Sequence, residues 1–394
     1  TSAFTGEYFA GGLQDNGTQS FENANPNGTD STIERYGGDG AYTFFDQDGT
    51  DQYFIRNYVY NDGVNLYNFA GTNVTLNSEN TGNGSFINPQ ALDSNLDILY
   101  SNYSSSGNYV IRRYSRIKSA STLTKTDLTD ASLTTTPTAF TVSPYQTFAS
   151  TLLVGTVLGD VLLVQNAHRA TPIWTALDGN SLVGSVSDIE FGQNENEIFV
   201  TMHNYGVNNI WYTSDQGANW EAKDGDLPDL PVKSILRNPL NLEEVIVGTE
   251  LGVWYTNNFS DANPNWRQAY NGMSNVKVLD LDLRDDNVVF AATHGRGVFS
   301  GSFEAGTLSV EENQITDSIT LFPTVSDGNI TIKSKKSLND INLTIYNLSG
   351  QEVYNTDLNL SSTNRELKLN LSSGIYLARF NYNTITETKK IIIK

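Results

Sequence analysis

The chain of 394 residues contains no cysteine, which excludes both a disulfide framework and a thiolate metal site. A secreted protein without disulfides has to bury a sizeable core of its own, and a chain of this length can do so. Proline and methionine are scarce too, with 10 and 2 residues, whereas Gly 32, Tyr 20 and Phe 18 are typical of a turn-rich all-β protein.

Long apolar segments are absent as well. No run approaches the roughly 20 residues that a membrane-spanning helix requires. The chain starts at Thr1 without methionine and without a secretory leader, in the middle of a strand-like pattern. We therefore expect it to be the C-terminal part of a longer precursor, with the N-terminal part of its fold encoded upstream.

Basic residues are few: the chain has 24 Lys and Arg and 44 Asp and Glu, which gives a formal net charge of −20. Residues 307–394 contain 9 basic and 9 acidic residues, so all of the excess lies in residues 1–306. An acidic body repels phosphate backbones, which argues against nucleic acid as a partner. The same acidity attracts divalent cations, or it simply keeps a secreted protein in solution.

Short phrases recur through the acidic body. Trp211-Tyr212-Thr213 returns as Trp254-Tyr255-Thr256, 43 residues later, and "LLVGTVLGDVLLV" returns as "VIVGTELGVWYT". A repeat of about 45 residues with four short strands is typical of a β-propeller blade. We predict an all-β fold with a propeller of about seven blades over residues 1–303, a linker over 304–316 and a small Ig-like β-sandwich over 317–394.

Each blade is expected to run from an inner strand at the central channel to an outer strand at the rim. Inner strands are predicted at Val232–Arg237 and Val276–Arg284, and second strands, apolar on both faces, at Glu244–Thr249 and Val288–Thr293. Earlier blades are predicted to start near Val186, Thr138, Gly84 and Asp39. The first repeat lacks a clear inner strand and the last lacks an outer one, so we expect the missing strands upstream of Thr1.

The segment from Thr213 to Trp220, "TSDQGANW", carries a recognisable turn motif. It resembles the Asp-box, the S-x-D-x-G-x-T-W turn of sialidases, sortilin-like receptors and related propellers with BNR repeats. The resemblance implies structural roles for Thr213, Asp215, Gly217 and Trp220: the carboxylate caps a tight hairpin, Gly takes a positive φ, and Trp packs between blades. Residues 256–266 look like a degenerate second copy.

Two phrases near the start, "GGLQDNGT" and "GGDGAYTFFDQDGTD", contain candidate catalytic carboxylates. They resemble the QDNG and GGDG elements of bacterial propellers grouped with sortilin-like and xyloglucanase-type sequences. Asp15 and Asp39 are both predicted to face the channel mouth, and paired carboxylates are what glycoside hydrolysis needs. Asp-Asn-Gly and Gly-Asp-Gly are also turn formers, so a structural role for both residues stays open.

Calcium is the one cofactor that the sequence suggests. Asp46, Asp48 and Asp51 offer oxygen ligands at the alternating spacing of a calcium loop, but the downstream Glu of an EF-hand is missing and a blade turn is due at the same place. The histidines His168, His203 and His294 lie in different blades without the spacing of a zinc motif. Arg296, beside His294 in a Gly-rich turn, is a candidate contact for an anionic ligand.

The C-terminal segment consists of alternating strands broken by Gly, Asn and Ser. Its motifs are Leu321-Phe322-Pro323, Ile345-Tyr346-Asn347 with Ser349-Gly350-Gln351, "LSSGIYL" from Leu371 to Leu377, and the terminal "KKIIIK". In this order they resemble the type A C-terminal sorting domain of type IX secretion cargo in Bacteroidetes. One departure is that Thr324-Val325 follows Pro323 where the family has Pro-Asn-Pro.

The resemblance implies both a destination and a set of partners. The cargo of this system is secreted through the outer membrane to the cell surface, so the translocon and its shuttle proteins are the expected partners of the C-terminal domain. The residues that match the signal are Pro323, Gly350, Gly374, Tyr376, Lys389, Lys390 and Lys394. We expect the domain to be removed, or replaced by a surface anchor, after export.

The sequence leaves two alternative functions for the propeller. A binding or adhesion module is favoured, because propeller ends present wide loops and no convincing catalytic set is visible. Its candidate partners are a glycan, another surface protein, or the secretion and gliding apparatus. The alternative is a xyloglucanase- or sialidase-like glycoside hydrolase that uses Asp15 and Asp39.

Overall fold

A computed structural model describes residues 7–24, 31–49, 52–68, 72–177, 179, 182–269, 272–273, 275–305, 319–334, 337–360, 364–382 and 385–394. The chain divides into two compact units, Thr1–Ala305 and Gly306–Lys394. The regular elements of the described residues are all strands, β1 to β34. The predicted linker, residues 304–316, falls outside the described residues from position 306 onward.

The first unit contains seven antiparallel sheets in chain order, which we call blades 1 to 7. Blade 1 consists of β1 (Glu7–Leu13), β2 (Gly17–Ala24) and β3 (Ile33–Tyr36). Blade 2 consists of β4 (Thr43–Phe45), β5 (Tyr53–Arg56), β6 (Val64–Asn68) and β7 (Asn73–Asn77). Blade 3 consists of β8 (Gln90–Asp93), β9 (Ile98–Asn102), β10 (Ile111–Ser115) and β11 (Thr124–Leu128).

The other four blades repeat this order. Blade 4 consists of β12 (Pro137–Val142), β13 (Thr151–Thr156), β14 (Val161–Gln165) and β15 (Ile173–Ala176). Blade 5 consists of β16 (Val186–Phe191), β17 (Ile198–Met202), β18 (Ile210–Thr213) and β19 (Glu221–Ala222). Blade 6 consists of β20 (Val232–Arg237), β21 (Val245–Thr249), β22 (Gly252–Thr256) and β23 (Arg267–Gln268), and blade 7 of β24 (Val278–Leu283), β25 (Val288–Thr293) and β26 (Val298–Ser302).

The seven blades form a closed ring, which confirms the predicted propeller. Blade 7 meets blade 1 where the ring of Phe9 packs against that of Phe290, with 5.2 Å between their centroids. The terminal sheets are the three-stranded ones, β1-β2-β3 and β24-β25-β26. Only the other five blades therefore have the full set of four strands among the described residues.

The core lies between blades rather than within them. The second strands β9, β13 and β17 are buried along their whole length, because sheets pack on both of their faces. Tyr100 of β9 and Val154 of β13, for example, share one apolar cluster across the boundary between blades 3 and 4. Such continuous apolar strands are what the sequence predicted for the second position of a blade.

Four inner strands carry the same irregularity. The pairing of β12, β16, β20 and β24 with the second strand skips one residue just after the start of the inner strand. The residues left without a register partner are Thr138, Ser187, Lys233 and Leu279. A β-bulge bends the strand and redirects a side chain, so these four positions repeat one local geometry around the channel.

Strand direction decides which loops share a face of the propeller. Because neighbouring strands are antiparallel, the turns between second and third strands and the crossovers to the next blade emerge on one side, here called the loop face. The turns between first and second strands emerge on the other side, here called the opposite face.

The second unit consists of two sheets. One has the order β27 (Ile319–Phe322), β29 (Asn329–Ser334) and β32 (Arg365–Lys368). The other has the order β28 (Val325–Ser326), β34 (Ile385–Ile393), β33 (Gly374–Tyr382), β30 (Leu338–Asn347) and β31 (Glu352–Leu360). Both sheets contribute to a single apolar cluster, in which Ile332, Leu343 and Phe380 are fully buried. This two-sheet core is the arrangement expected of a β-sandwich.

Candidate functional site

The two predicted catalytic carboxylates lie next to each other on the loop face. Blade 1 has no inner strand among the described residues, so β1 and β2 take the second and third positions of the blade and their turn emerges on the loop face. Asp15 lies in that turn with φ 60°, and Asp39 lies in the crossover from blade 1 to blade 2. The carboxylate of Asp39 accepts a hydrogen bond of 2.8 Å from the backbone amide of Asp15. Asp39 thus caps the turn that Asp15 belongs to, and a catalytic use of the pair stays a prediction.

A pocket opens beside these turns, between blades 1 and 2. It has a volume of about 450 Å³ and is lined by Tyr36, Gly37, Gly38, Tyr58, Asp62 and Gly63. Tyr36 is 46% exposed, whereas Tyr58 and Asp62 are half-buried. The three glycines carry no side chain, so the wall of the pocket combines two aromatic rings, one carboxylate and main chain.

The glycines of this pocket fill positions that other residues would not fit. Gly38 and Gly63 have φ 84° and 61°, in the left-handed region that favours glycine. A Cβ added at either position would lie 2.9 Å from an atom of the Tyr58 side chain. The shape of the pocket therefore depends on these two glycines.

The Asp-box residues build a hairpin between β18 and β19. The Thr213 hydroxyl donates to the Asp215 carboxylate at 2.8 Å and accepts from the Gly217 amide at 3.0 Å. The same carboxylate accepts from the Asn219 backbone amide at 2.8 Å. These hydrogen bonds, led by that from the Asn219 side chain, lower the pKa of Asp215. Both oxygens of the Asp215 carboxylate accept hydrogen bonds within the turn, which is the geometry of a structural cap.

The degenerate copy repeats this geometry with different residues. Asn258 replaces the Asp, accepting from the Thr256 hydroxyl at 2.8 Å and from the Asn265 amide at 2.9 Å. In both copies the Trp side chain reaches into the preceding blade. The indole of Trp220 donates to the carbonyl of Leu177 at 2.8 Å, and that of Trp266 donates to the carbonyl of Lys223 at 2.9 Å.

The predicted calcium ligands are placed in the loop between β4 and β5. Asp46 and Asp48 are half-buried there, and Asp51 lies outside the described residues. Within the described part of the chain, no group of three or more acidic or histidine side chains is arranged to hold a metal ion. Calcium binding at this loop therefore stays a prediction from the sequence.

Sequence reasoning missed a set of carboxylates in the central channel. Asp188 and Glu190 belong to the inner strand of blade 5, and Asp280 and Asp282 to that of blade 7. Tyr42, at the entry to β4, has its pKa raised by burial and then by Asp280 and Asp188. Blades 2, 5 and 7 share only the channel, so these side chains converge on it.

Burial and mutual repulsion raise the pKa of these carboxyl groups. Burial raises the pKa of Asp188 to about 6, although backbone amides of Ile235 and Ile189 donate to it. The pKa of Glu190 is raised first by burial and then by Asp188, and that of Asp280 in the same way. Asp280 and Asp282 are nevertheless exposed to solvent, which screens their charges and reduces the cost of placing them in the channel.

We expect the repulsion among the channel carboxyl groups, and the destabilisation that it causes, to weaken as the pH falls from 8 to 5. A carboxyl whose pKa is higher in the folded state destabilises the fold above that pKa and ceases to do so as the pH falls towards its unfolded value. After discounting for solvent, Asp280→Asn should stabilise the propeller by about 1 kcal/mol at pH 8 and less at pH 5. Urea denaturation at both pH values measures this difference.

A matched control is Asp285→Asn, which removes an exposed carboxylate from the loop that follows the same strand. It should change the free energy of unfolding little at either pH. Stabilising carboxylates such as Glu79, whose pKa is about 2, titrate below this window. An Asp280→Asn variant that is no more stable than the wild type at pH 8 would contradict the expected repulsion in the channel.

The predicted sorting residues are all in the second unit. Pro323 follows β27, Gly350 has φ 77° in the β30–β31 turn, and Gly374 opens β33. Tyr376 is 6% exposed in the core, and its hydroxyl donates to the Ser372 carbonyl at 2.8 Å. The basic residues Lys389 and Lys390 lie on β34, and Lys394 follows that strand.

The end of the chain is paired on both sides. Strand β34 pairs antiparallel with β33 and parallel with β28. The Lys394 amide donates to the Ser326 carbonyl at 2.9 Å. Ile391 and Ile393 are buried while Lys390 and Lys394 are exposed, so the terminal motif alternates between core and solvent.

Comparison with known protein families identifies the second unit. Residues 320–394 match the family described as the secretion system C-terminal sorting domain. The chain therefore carries a type IX sorting domain, as the sequence predicted, and this domain indicates secretion to the cell surface through the type IX machinery. No helix of the described residues is long and apolar enough to cross a membrane.

Among solved structures, the chain is similar to the extracellular domain of the proposed hybrid two component system BT3049 from B. thetaiotaomicron. That similarity has 10% identity and a TM-score of 0.54, and it covers 100% of this chain and 55% of the other. The extracellular domain of the proposed one component system BT4673 from the same organism gives 13% identity, a TM-score of 0.38 and coverage of 98% and 62%. YCF48 from Cyanidioschyzon merolae has 12% identity and a TM-score of 0.46, and the similarity covers 68% of this chain and 83% of the other.

These similarities concern the fold alone. Of the three, the BT3049 domain is the one with a TM-score above 0.5, and its similarity supports the fold described here. The chain spans about half the length of that domain. No curated protein matches the chain.

Proposed function

We propose that the propeller is a binding module that holds a glycan on its loop face, outside the cell, and so serves adhesion or capture at the surface. The observation that carries this proposal is the pocket between blades 1 and 2, with Tyr36, Tyr58 and Asp62 in its wall. Export by the sorting domain brings this face into contact with extracellular polysaccharide.

The chemistry of the pocket suits a sugar ring. A flat aromatic ring offers an apolar face to the C–H groups of a pyranose, while a carboxylate and bare backbone groups exchange hydrogen bonds with its hydroxyls. Asp62 can accept such bonds at the same opening where Tyr36 and Tyr58 supply the ring faces. A volume of about 450 Å³ is enough for one or two sugar units.

The rings are held in place before any ligand arrives. The guanidinium carbon of Arg56 lies 3.4 Å from the centroid of the Tyr36 ring, and Arg56 itself is 9% exposed. Arg56 also donates to the Gly63 carbonyl at 3.4 Å. Because this stack fixes the Tyr36 ring, little side-chain entropy has to be lost on binding.

We expect Tyr36→Ala to weaken binding by about tenfold to any polysaccharide that the wild type binds, because one stacking surface is removed from the pocket. Affinity electrophoresis of the full chain in gels containing plant or bacterial polysaccharides measures the loss. Tyr58→Ala should act in the same direction. The two substitutions together should abolish retardation.

The matched control is Phe148→Ala, which removes an aromatic ring that is 90% exposed on the opposite face. It should leave the affinity unchanged. Equal retardation of the wild type and the double tyrosine variant would refute the pocket as the binding site. Release of reducing sugar by the wild type but not by Asp39→Asn would favour the glycosidase alternative instead.

We also propose that the propeller belongs with the Asp-box, or BNR-repeat, propellers of Bacteroidetes cargo. The hydrogen bonds of Thr213 and Asp215, and the Trp220 contact with the preceding blade, support this assignment. The motif occurs once in full, with the second copy at residues 256–266 altered at its central residue.

A further inference from the structure

Four charged or titratable side chains meet on the loop face of blades 5 to 7, away from the Tyr36 pocket. His203 follows β17, Glu250 follows β21, and Lys277 precedes β24. Lys233 is the bulge residue of β20. We call these four residues the rim cluster. It stands out because basic groups outnumber acidic ones here, within a unit that is strongly acidic as a whole.

One carboxylate pairs with two of the three basic groups of the rim cluster. The Nε2 atom of His203 and the Nζ atom of Lys277 both lie 2.7 Å from the same oxygen, Oε1 of Glu250. In the described part of the chain, the ammonium group of Lys233 has neither a hydrogen-bond acceptor nor an ion-pair partner. The rim cluster thus has a surplus of positive charge and a donor that is not used.

The electrostatics of the rim cluster favour the arrival of an anion. The pKa of Lys233 is lowered, first by burial and then by Lys277. The pKa of His203 is also lowered, first by burial and then by Lys233, while Glu250 opposes this effect. A second carboxylate placed among these groups would relieve the repulsion and restore proton affinity to His203.

The surroundings of the rim cluster are apolar and exposed. Tyr205 is 66% exposed, two residues after His203, and Leu251 is 43% exposed, next to Glu250. Val183, 63% exposed, lies in the crossover whose Ser185 amide donates to the Asn204 side chain at 2.6 Å. Exposed apolar side chains around a charged centre are typical of a surface that binds a polypeptide.

We propose that the rim cluster binds a carboxylate side chain of a polypeptide partner, whose neighbouring apolar side chains pack on Tyr205, Leu251 and Val183. Charge complementarity fixes the acidic residue between Lys233 and Lys277, and the apolar rim excludes water from the ion pairs. The rest of the unit is acidic and repels acidic proteins in general, so binding is confined to this place. The site is independent of the glycan pocket in blades 1 and 2.

The full chain can be titrated with the blocked peptide acetyl-Leu-Glu-Leu-amide and with its Gln counterpart, with histidine imidazole signals observed by NMR. Three histidines are present, His168, His203 and His294. We expect the acidic peptide to shift the His203 signal and to raise its pKa. The Gln peptide should bind at least about tenfold more weakly, since it cannot form charge-assisted hydrogen bonds.

Variants separate this site from a general effect of charge. Lys233→Gln and Lys277→Gln should each lower the affinity for the acidic peptide by about tenfold. Lys118→Gln, in blade 3, should leave that affinity unchanged. Glu250→Gln removes the competing carboxylate and should tighten binding. A gain of affinity cannot result from misfolding, so this variant tests the proposal even if a lysine variant is unstable.

Three results would overturn the proposal. One is equal binding of the Glu and Gln peptides, and another is a His203 signal that neither peptide shifts at millimolar concentration. The third is a shift caused by oligogalacturonate but not by the acidic peptide, which would make the rim cluster a site for acidic saccharides. Loss of the glycan affinity of the Tyr36 pocket would leave the expected peptide result unchanged.

Discussion

A chain truncated after Glu312 should remain inside the outer membrane, with surface exposure reduced to background. The truncation removes residues 313–394, which contain the whole of the matched sorting domain, residues 320–394. It leaves the propeller unit, Thr1–Ala305, uncut. Whole-cell immunodetection of the propeller, with and without permeabilisation of the outer membrane, measures the effect.

Two controls make this result specific to the sorting domain. The truncated propeller should unfold at the same urea concentration as the propeller in the full chain, since each unit has its own core. The full chain with Glu366→Gln, an exposed change on β32, should reach the surface normally. Surface exposure of the truncated chain at the level of the full chain would disprove the sorting function.

The fold was largely predictable because each blade is formed by strands that follow one another in the sequence. A second strand is covered on both faces and has to be apolar throughout, so Val288–Thr293 was predicted with the bounds that the structure shows for β25. The inner strand Val232–Arg237 was also predicted with its observed bounds. The number of blades followed from a repeat length that four short strands and their turns impose.

The site residues were less predictable because they depend on ring closure. Asp188 and Asp280 each look like the polar face of an ordinary strand, and only the closed ring directs them into one channel. Tyr36 and Tyr58 belong to different blades, and their common pocket depends on the positive φ of Gly38 and Gly63. No short-range pattern encodes either arrangement.

The rim cluster did leave a signal in the sequence. His203 and Glu250 both follow the second strand of their blades, so they occupy equivalent positions in successive repeats. Their contact follows from the packing of one blade on the next. Comparing equivalent repeat positions, rather than neighbours in sequence, would have identified the pair.

The second large effect is expected for Trp266→Ala, because Trp266 also packs one blade against the next. The Trp266 side chain is 4% exposed and shares an apolar cluster with Phe199 of blade 5 and Val247 of blade 6. Its indole N–H donates to the carbonyl of Lys223, just after the outer strand of blade 5. Alanine would leave a large cavity at this boundary, so we expect the free energy of unfolding to fall by about 3–5 kcal/mol.

Trp266→Phe separates packing from the hydrogen bond, because the ring is kept but its donor is lost. The carbonyl of Lys223 would then lose its indole partner in a buried place, so we expect a loss of about 1–3 kcal/mol. Trp220→Phe should cost less, since Trp220 is only partly buried although its indole donates to Leu177 in the same way. Urea denaturation followed by circular dichroism gives each value.

The control is Trp174→Phe in β15, because its half-buried indole N–H has no acceptor within the described residues. If the hydrogen bond between blades matters, Trp266→Phe should destabilise the propeller clearly more than Trp174→Phe does. Equal losses for these two variants would mean that packing alone holds blade 6 against blade 5. The Asp-box would then stabilise only its own hairpin, and the two tryptophans would act as ordinary core residues.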